Sequence, residues 1–386
     1  MHHTQTSLFQ DYNPTPSRLK KKINNTNNTS KLFTAPKNNY IFEPKVSCSP
    51  SKIVVYNEVS IFCRQSGYFI PLSKEKKHTN LTRAFHNFEL SDNAVRTLKK
   101  KINWLFFLSK SRNIITIKKK SIPSFKIGFY TFTLPSTQVH NTGTIVSEIW
   151  SQFVNELSKY NGMKNYIWRL EFQENKNVHF HLVSDKYLDW YMLRRKWNTA
   201  CNKLGYVDKY QKKMQNMSLS QYISTYADNK SNSYTILSKR FARGKKENWS
   251  NPNSVDVKPV KSNNAIAYYI SKYITKPSPH SEKNENNNTI RENHFNDLDS
   301  SYNSKNVRLW FCSRSLSKLE NITNYLQEMN FDPLKQLRNL SGVKTVIRDY
   351  CVILFLDFKT LANEFKCFYS RLLRDYANSL EYSPSP

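Results

Sequence analysis

Glycine is scarce, with 7 in 386 residues, and no two fall close together. A glycine-rich phosphate loop is therefore excluded, and no Walker motif or attached ATPase is expected. The six cysteines, at 48, 63, 201, 312, 351 and 367, form no C-x-x-C pair. With no secretory apolar region at the start, a reducing, cytoplasmic setting is expected rather than a disulfide framework. Long apolar runs are missing too. The stretch Cys351 to Leu356 stops at Asp357, far short of the roughly 18 residues of a membrane span, so it reads as core and no membrane partner is expected. Acid is the last shortage. Against 59 Lys and Arg stand 29 Asp and Glu, a net charge of +30. That imbalance points to a polyanionic partner, most simply nucleic acid.

One short stretch concentrates the chemistry. Tyr166, Trp168, Leu170 and Phe172 alternate with Ile167, Arg169 and Glu171, the period of a half-buried strand. After a polar loop, 173–177, the alternation resumes with Val178, Phe180 and Leu182 on one face and His179 and His181 on the other. Closed symmetrically as an antiparallel hairpin, the two runs pair Phe172 with Val178 and Glu171 with His179. Directly opposed Cβ atoms lie about 5 Å apart, so Glu171, His179 and His181 share one patch. Two imidazoles and a carboxylate on a rigid sheet suit a divalent cation with open positions. A slip of one residue would scatter the set, and two solvated histidines are the bland alternative.

Around this hairpin the chain divides by composition. Residues 1–50, rich in Asn, Thr, Ser and Lys, read as a disordered basic arm. Residues 51–90 hold a small apolar patch that composition does not assign. From Ser91, a possible cap, a helix carries Val95, Leu98, Ile102, Leu105 and Leu108 inward, with Lys99 to Lys101 as a solvated band. A strand over Lys126 to Leu134 is ended by Pro135, and a helix with Ile145, Ile149, Trp150, Phe153 and Leu157 leads to the hairpin. Beyond it, Asp185 is read as the cap of a helix with Trp190, Leu193, Trp197, Cys201 and Leu204 inward, Arg194, Arg195 and Lys196 outward, and Gly205 as its stop. Residues 206–252 read as an insertion or loop region. Short strands are expected at 254–260 and 307–311, and helix after Leu316, which makes 317–386 a helical C-terminal extension. The fold class is α+β, a central antiparallel sheet of about five strands flanked by helices.

A second constellation lies on the helix predicted over Ala265 to Lys276, stopped by Pro277. Tyr269 and Tyr273 stand at i and i+4, with Lys272 and Lys276 beside them at the same interval. A phenol with a pKa of about 10 is a poor nucleophile at neutral pH. A neighbouring ammonium favours the phenolate, and a metal polarising a phosphate lowers the demand on it. Aromatic packing is the alternative.

In order, Tyr130-Thr131-Phe132-Thr133-Leu134-Pro135, Val178-His179-Phe180-His181-Leu182 and Tyr269-Ile270-Ser271-Lys272-Tyr273 resemble the three motifs of the HUH endonucleases, specifically two-tyrosine rolling-circle replication initiators of the phage and plasmid type. Glu171 sits where many members carry a third metal ligand, and Arg308 to Arg314 resembles a strand near the end of the domain. The resemblance covers 91–316; the first 90 residues and the insertion 206–252 depart from it. It implies an RRM-like sheet and a Mg²⁺ or Mn²⁺ ion on His179, His181 and Glu171. It also implies catalysis by Tyr269, Tyr273 and Lys272 on single-stranded origin DNA through a 5′-phosphotyrosyl intermediate, with host DNA polymerase and helicase as partners. Basic and aromatic residues near Arg194, Arg195 and Trp197 would track the strand. Transposases and relaxases share this catalytic set and differ in the DNA they join, and a non-catalytic basic DNA-binding protein is the other class left open.

Overall fold

The computed structural model of the protein describes residues 40–63, 68–71, 90–109, 115–117, 120–122, 127–173, 175–227, 233–259, 307–329 and 331–381. They fall in two units, Met1–Ala84 with Leu319–Pro386, and Phe85–Lys318. The helix predicted over 265–276, with Tyr269, Lys272 and Tyr273, lies outside the described residues.

The first unit is a six-stranded antiparallel sheet. Its strands are β1 (Tyr40–Ser49), β2 (Lys52–Cys63) and β3 (Tyr68–Pro71) from one end of the sequence. From the other end come β11 (Ile322–Tyr325), β12 (Val343–Arg348) and β13 (Cys351–Leu356). They run in the order β11-β1-β2-β13-β12, with β3 pairing β2. This corrects three readings. Residues 40–50 belong to a strand and its turn rather than to a disordered arm. The unassigned patch Ile53 to Cys63 is an inner strand. The segment 317–386 holds three strands as well as helix.

The second unit contains the hairpin. In chain order it runs α1 (Asp92–Leu108), a small ladder of β4 (Ile115–Ile117) and β5 (Lys120–Ile122), then β6 (Gly128–Thr133). A helical stretch follows as a first turn, Thr142–Thr144, a π-helix, Ile145–Ser151, and α2 (Gln152–Tyr160). Next come β7 (Tyr166–Phe172), β8 (Val178–Ser184) and α3 (Trp190–Asn202). Then α4 (Tyr206–Gln215), α5 (Leu219–Tyr226) and α6 (Tyr234–Lys246) precede β9 (Val255–Pro259), β10 (Trp310–Cys312) and α7 (Arg314–Lys318). The sheet is antiparallel and five-stranded, β10-β7-β8-β6-β9, as the α+β reading expects.

Its first face is closed by the π-helix, α2 and α3. Trp150 stacks on Phe180 with ring centres 4.1 Å apart and planes 7° from parallel, and Phe132, Phe153 and Trp197 pack edge-on or tilted around them. Trp150, Phe180 and Trp197 are fully buried. Replacing Trp150 with Ala removes the centre of this cluster, and a loss of about 3–5 kcal/mol is expected, read by urea denaturation. Gly128 is required by a close approach. A Cβ there would overlap the Tyr130 hydroxyl, which donates to Lys186 O and accepts from Leu188 N.

Local details depart from the pattern reading. The Asp189 side chain, not Asp185, caps α3 by accepting from Met192 N at 2.8 Å, which leaves Trp190 half exposed. Asp185 instead accepts from Asn165 N and Nδ2. On α1, Lys101 is not solvated. It shares the inward stripe with Leu98, Ile102 and Leu105, is 3% exposed, and donates to Ser317 O at 3.0 Å. The segment 206–252 is three helices with their own small core of Met214, Tyr222, Leu237, Phe241 and Trp249. No helix among the described residues is long and apolar enough to cross a membrane.

Candidate active site

β7 and β8 pair in the expected register, Glu171 opposite His179 and Phe172 opposite Val178. The five-residue loop fixes it. Gln173 N donates to Asn177 O and Lys176 N to Gln173 O, with Lys176 turning the chain at a φ of 66°. Asn177 then staples the loop to the segment after β6, accepting from Gln138 N and donating to Ser136 O, while Gln138 accepts from Val178 N.

Since Trp168, Leu170, Phe180 and Leu182 occupy the first face, Arg169, Glu171, His179 and His181 stand on the second. Register aligns Trp310, Arg169, His181 and Thr131 in one row across four strands, with Glu171 and His179 in the next. Arg169 is 2% exposed, and its guanidinium lies 3.0 Å from one oxygen of Glu171. The other oxygen of Glu171 is 3.1 Å from His181 Nε2, and His181 Nδ1 is 3.2 Å from the Thr131 hydroxyl. With the proton on Nε2, His181 donates to Glu171 and accepts from Thr131. Phe129 stacks on the ring at 5.6 Å. His179 lies 4.6 Å from His181 between ring centres, and its Nδ1 is buried without a hydrogen-bond partner.

The charges follow from these contacts. Burial alone would raise the Glu171 carboxyl, but the His181 hydrogen bond and the Arg169 charge outweigh it and hold the pKa below the ordinary value. Burial, then the neighbouring His181, push His179 down to about 4 against the pull of Glu171. At neutral pH the patch therefore presents an anionic carboxylate and a neutral imidazole with an unused ring nitrogen. Those are the protonation states that metal binding requires. Position is less complete. Glu171 is engaged by Arg169 and His181, and among the described residues no group of three or more His, Cys, Asp or Glu side chains is arranged to hold an ion as it stands.

The alternation does not single out Arg169, which reads as one more charged residue on an outward face; only its burial marks it. Replacing it with Met keeps the stem and removes the charge that compensates buried Glu171. A loss of about 3 kcal/mol is expected at pH 7. The difference from the parent should shrink as pH falls through the Glu171 titration, because a protonated carboxyl needs no cation. Denaturation in EDTA across that range measures it.

The strand-tracking residues are redistributed. Trp197 is fully buried, its indole donating to Thr133 O, and Arg194 is spent on the carbonyls of Asn251 and Pro252. Arg195 stays outside, over the half-exposed Tyr191 ring at 5.9 Å. It lines a groove of about 680 Å³ between α2 and α3 with Lys196 and Lys203.

No curated protein and no solved structure matches the chain. Residues 127–278 match the family model described as replication-associated protein ORF2. That stretch begins just before β6, takes in Glu171, His179 and His181, and runs past Tyr269, Lys272 and Tyr273. The part of the chain that carries the candidate site is thus similar to replication-associated proteins, which supports a role in the initiation of DNA replication.

Proposed function

We propose that the protein initiates rolling-circle replication by nicking and rejoining single-stranded origin DNA as an HUH endonuclease of the two-tyrosine type. The observation that carries this is the placement of Glu171, His179 and His181 on one sheet face, within the stretch matched to replication-associated proteins. His179 and His181, with Glu171 released from one of its two partners, would hold Mg²⁺ or Mn²⁺. Such an ion supplies Lewis-acid polarisation of the scissile phosphate. Arg169 keeps Glu171 ionised, and Thr131 and Phe129 hold the His181 ring in place.

The chemistry is a pair of transfers. The Tyr269 oxygen, its phenolate favoured by Lys272, attacks phosphorus. The bond from phosphorus to the 3′-oxygen breaks, and that oxygen leaves as a 3′-hydroxyl after taking a proton. The 5′-phosphate stays on the tyrosine. The free 3′-end would prime a host DNA polymerase, with a helicase opening the duplex ahead. Tyr273 would make the second transfer that closes a circle. The test is nicking of a labelled single strand from the replicon, with Mn²⁺ and with EDTA. Nicking with a protein–DNA adduct in Mn²⁺ and none in EDTA is expected.

One observation favours a second reading. Glu171 and His181 already satisfy each other through Arg169 and Thr131, as in a purely structural polar network of a DNA-binding protein. In that case EDTA changes nothing and no adduct forms.

A further inference from the structure

The six-stranded sheet of the first unit has two unlike faces. On one, Val46, Cys48, Ile53, Val55, Val352, Leu354 and Leu356 are buried. They are covered by the long helix Asn363–Glu381, whose Tyr369 lies beside Cys48 and donates to Ser49 O at 3.0 Å. The other face is open. Register sets three rows across it. One reads Tyr325, Lys45, Tyr56, Cys351, Arg348, and the next Thr323, Ser47, Val54, Ile353, Val346. The third reads Ser49, Lys52, Phe355, Lys344. Of these fourteen, only Ser49 is buried, and Phe355 is 42% exposed.

The composition of that face is specific. An aliphatic centre of Val54, Ile353 and Val346 is flanked by aromatic rings, Tyr56 and Tyr325 on one side and Phe355 on the other. Lys45 and Arg348 lie beyond the first side, Lys52 and Lys344 beside the second. Lys45 is paired with Glu58 and sits over the Tyr325 ring at 4.4 Å. The acids nearby are Glu43 and Glu58, one row further along β1 and β2, and Asp349 in the β12–β13 turn.

We propose that this open face is a second binding site for single-stranded DNA, separate from the cleavage patch and independent of the cleavage reading. Flat rings on a sheet offer stacking surfaces to unpaired bases, and cations on either side neutralise the phosphates that run past them. Duplex DNA keeps its bases stacked on one another and gains nothing from the rings. The chain's charge of +30 makes a polyanion the complementary occupant.

The test uses the full chain in EDTA, so that no strand is cut, with oligo-dT carrying 4-thiothymidine. Photocrosslinks are expected on Tyr56, Tyr325 or Phe355. Lys344→Glu with Arg348→Glu, both on exposed positions of the edge strand, should weaken oligo-dT binding about tenfold and lower the slope of log affinity against log salt by about 1.4. Phe355→Ser should weaken binding with the slope unchanged, and an unaltered thermal melt shows that each variant is folded. Nicking by the charge-reversal variant at saturating substrate should match the parent, which separates this proposal from the cleavage reading. Crosslinks confined to residues 85–318, equal competition by duplex, tighter binding of oligo-U, or undiminished binding by the folded charge-reversal variant would overturn it.

Discussion

A protein with both His179 and His181 changed to Ala is expected to lose nicking by at least about 10³-fold while still binding DNA. The two histidines supply the neutral nitrogen donors of the patch, and removing them takes away polarisation of the phosphate, an effect that commonly spans several orders of magnitude. Binding rests on Lys and Arg and should barely move. Glu171→Ala should weaken metal affinity or change metal preference, and it also strips Arg169 of its partner, so its stability falls as well. The His179 imidazole has a sign of its own in metal-free protein. Its folded pKa of about 4 lies below the unfolded value, so the unfolded state takes up a proton first and stability falls as pH drops from about 6.5 toward 4. Metal should oppose that loss, since it binds only the neutral ring. Isothermal titration with Mn²⁺ at pH 7.5 and 5 reads this directly, and unchanged cleavage by the double variant defeats the metal assignment.

Tyr269→Phe is expected to abolish the covalent DNA adduct, and Tyr273→Phe to nick normally but close circles poorly. Phe removes only the hydroxyl and leaves the ring to pack, so folding should change little. Spacing does not choose between the two, because each has a lysine three residues on, Lys272 and Lys276. The order follows the resemblance to two-tyrosine initiators. Peptide mapping of the adduct discriminates: a phosphotyrosyl peptide at Tyr273 alone reverses the order, and one at Tyr268 breaks the two-tyrosine scheme.

The cut used to remove the basic arm matters for any such experiment. Because β1 begins at Tyr40 and pairs with both β2 and β11, deleting residues 1–50 would take an inner strand out of the first sheet. A deletion ending at residue 39 leaves that ladder whole.

What the sequence by itself determined was the hairpin. Its two strands are adjacent, their alternation is unbroken, and a five-residue loop leaves one symmetric register, so Glu171 opposite His179 needed no distant partner. The amphipathic stripes of α1 and the helix around Trp150 were legible for the same local reason, as was the antiparallel α+β class. Tertiary structure decided the rest. The strands at 322–325 and 343–348 are short and polar on one side, and their hydrogen bonds go to neighbours that the local pattern does not mark, Tyr325 to Lys45 across some 280 residues. The helices within 206–252 are too short for a firm periodic signal and are held by a core of five residues drawn from three helices and the segment beyond. Arg169 and Lys101 look like surface charges in a string of letters. Only packing shows that each is buried and spent on a particular partner, because the desolvation of a charge depends on what the rest of the chain places over it.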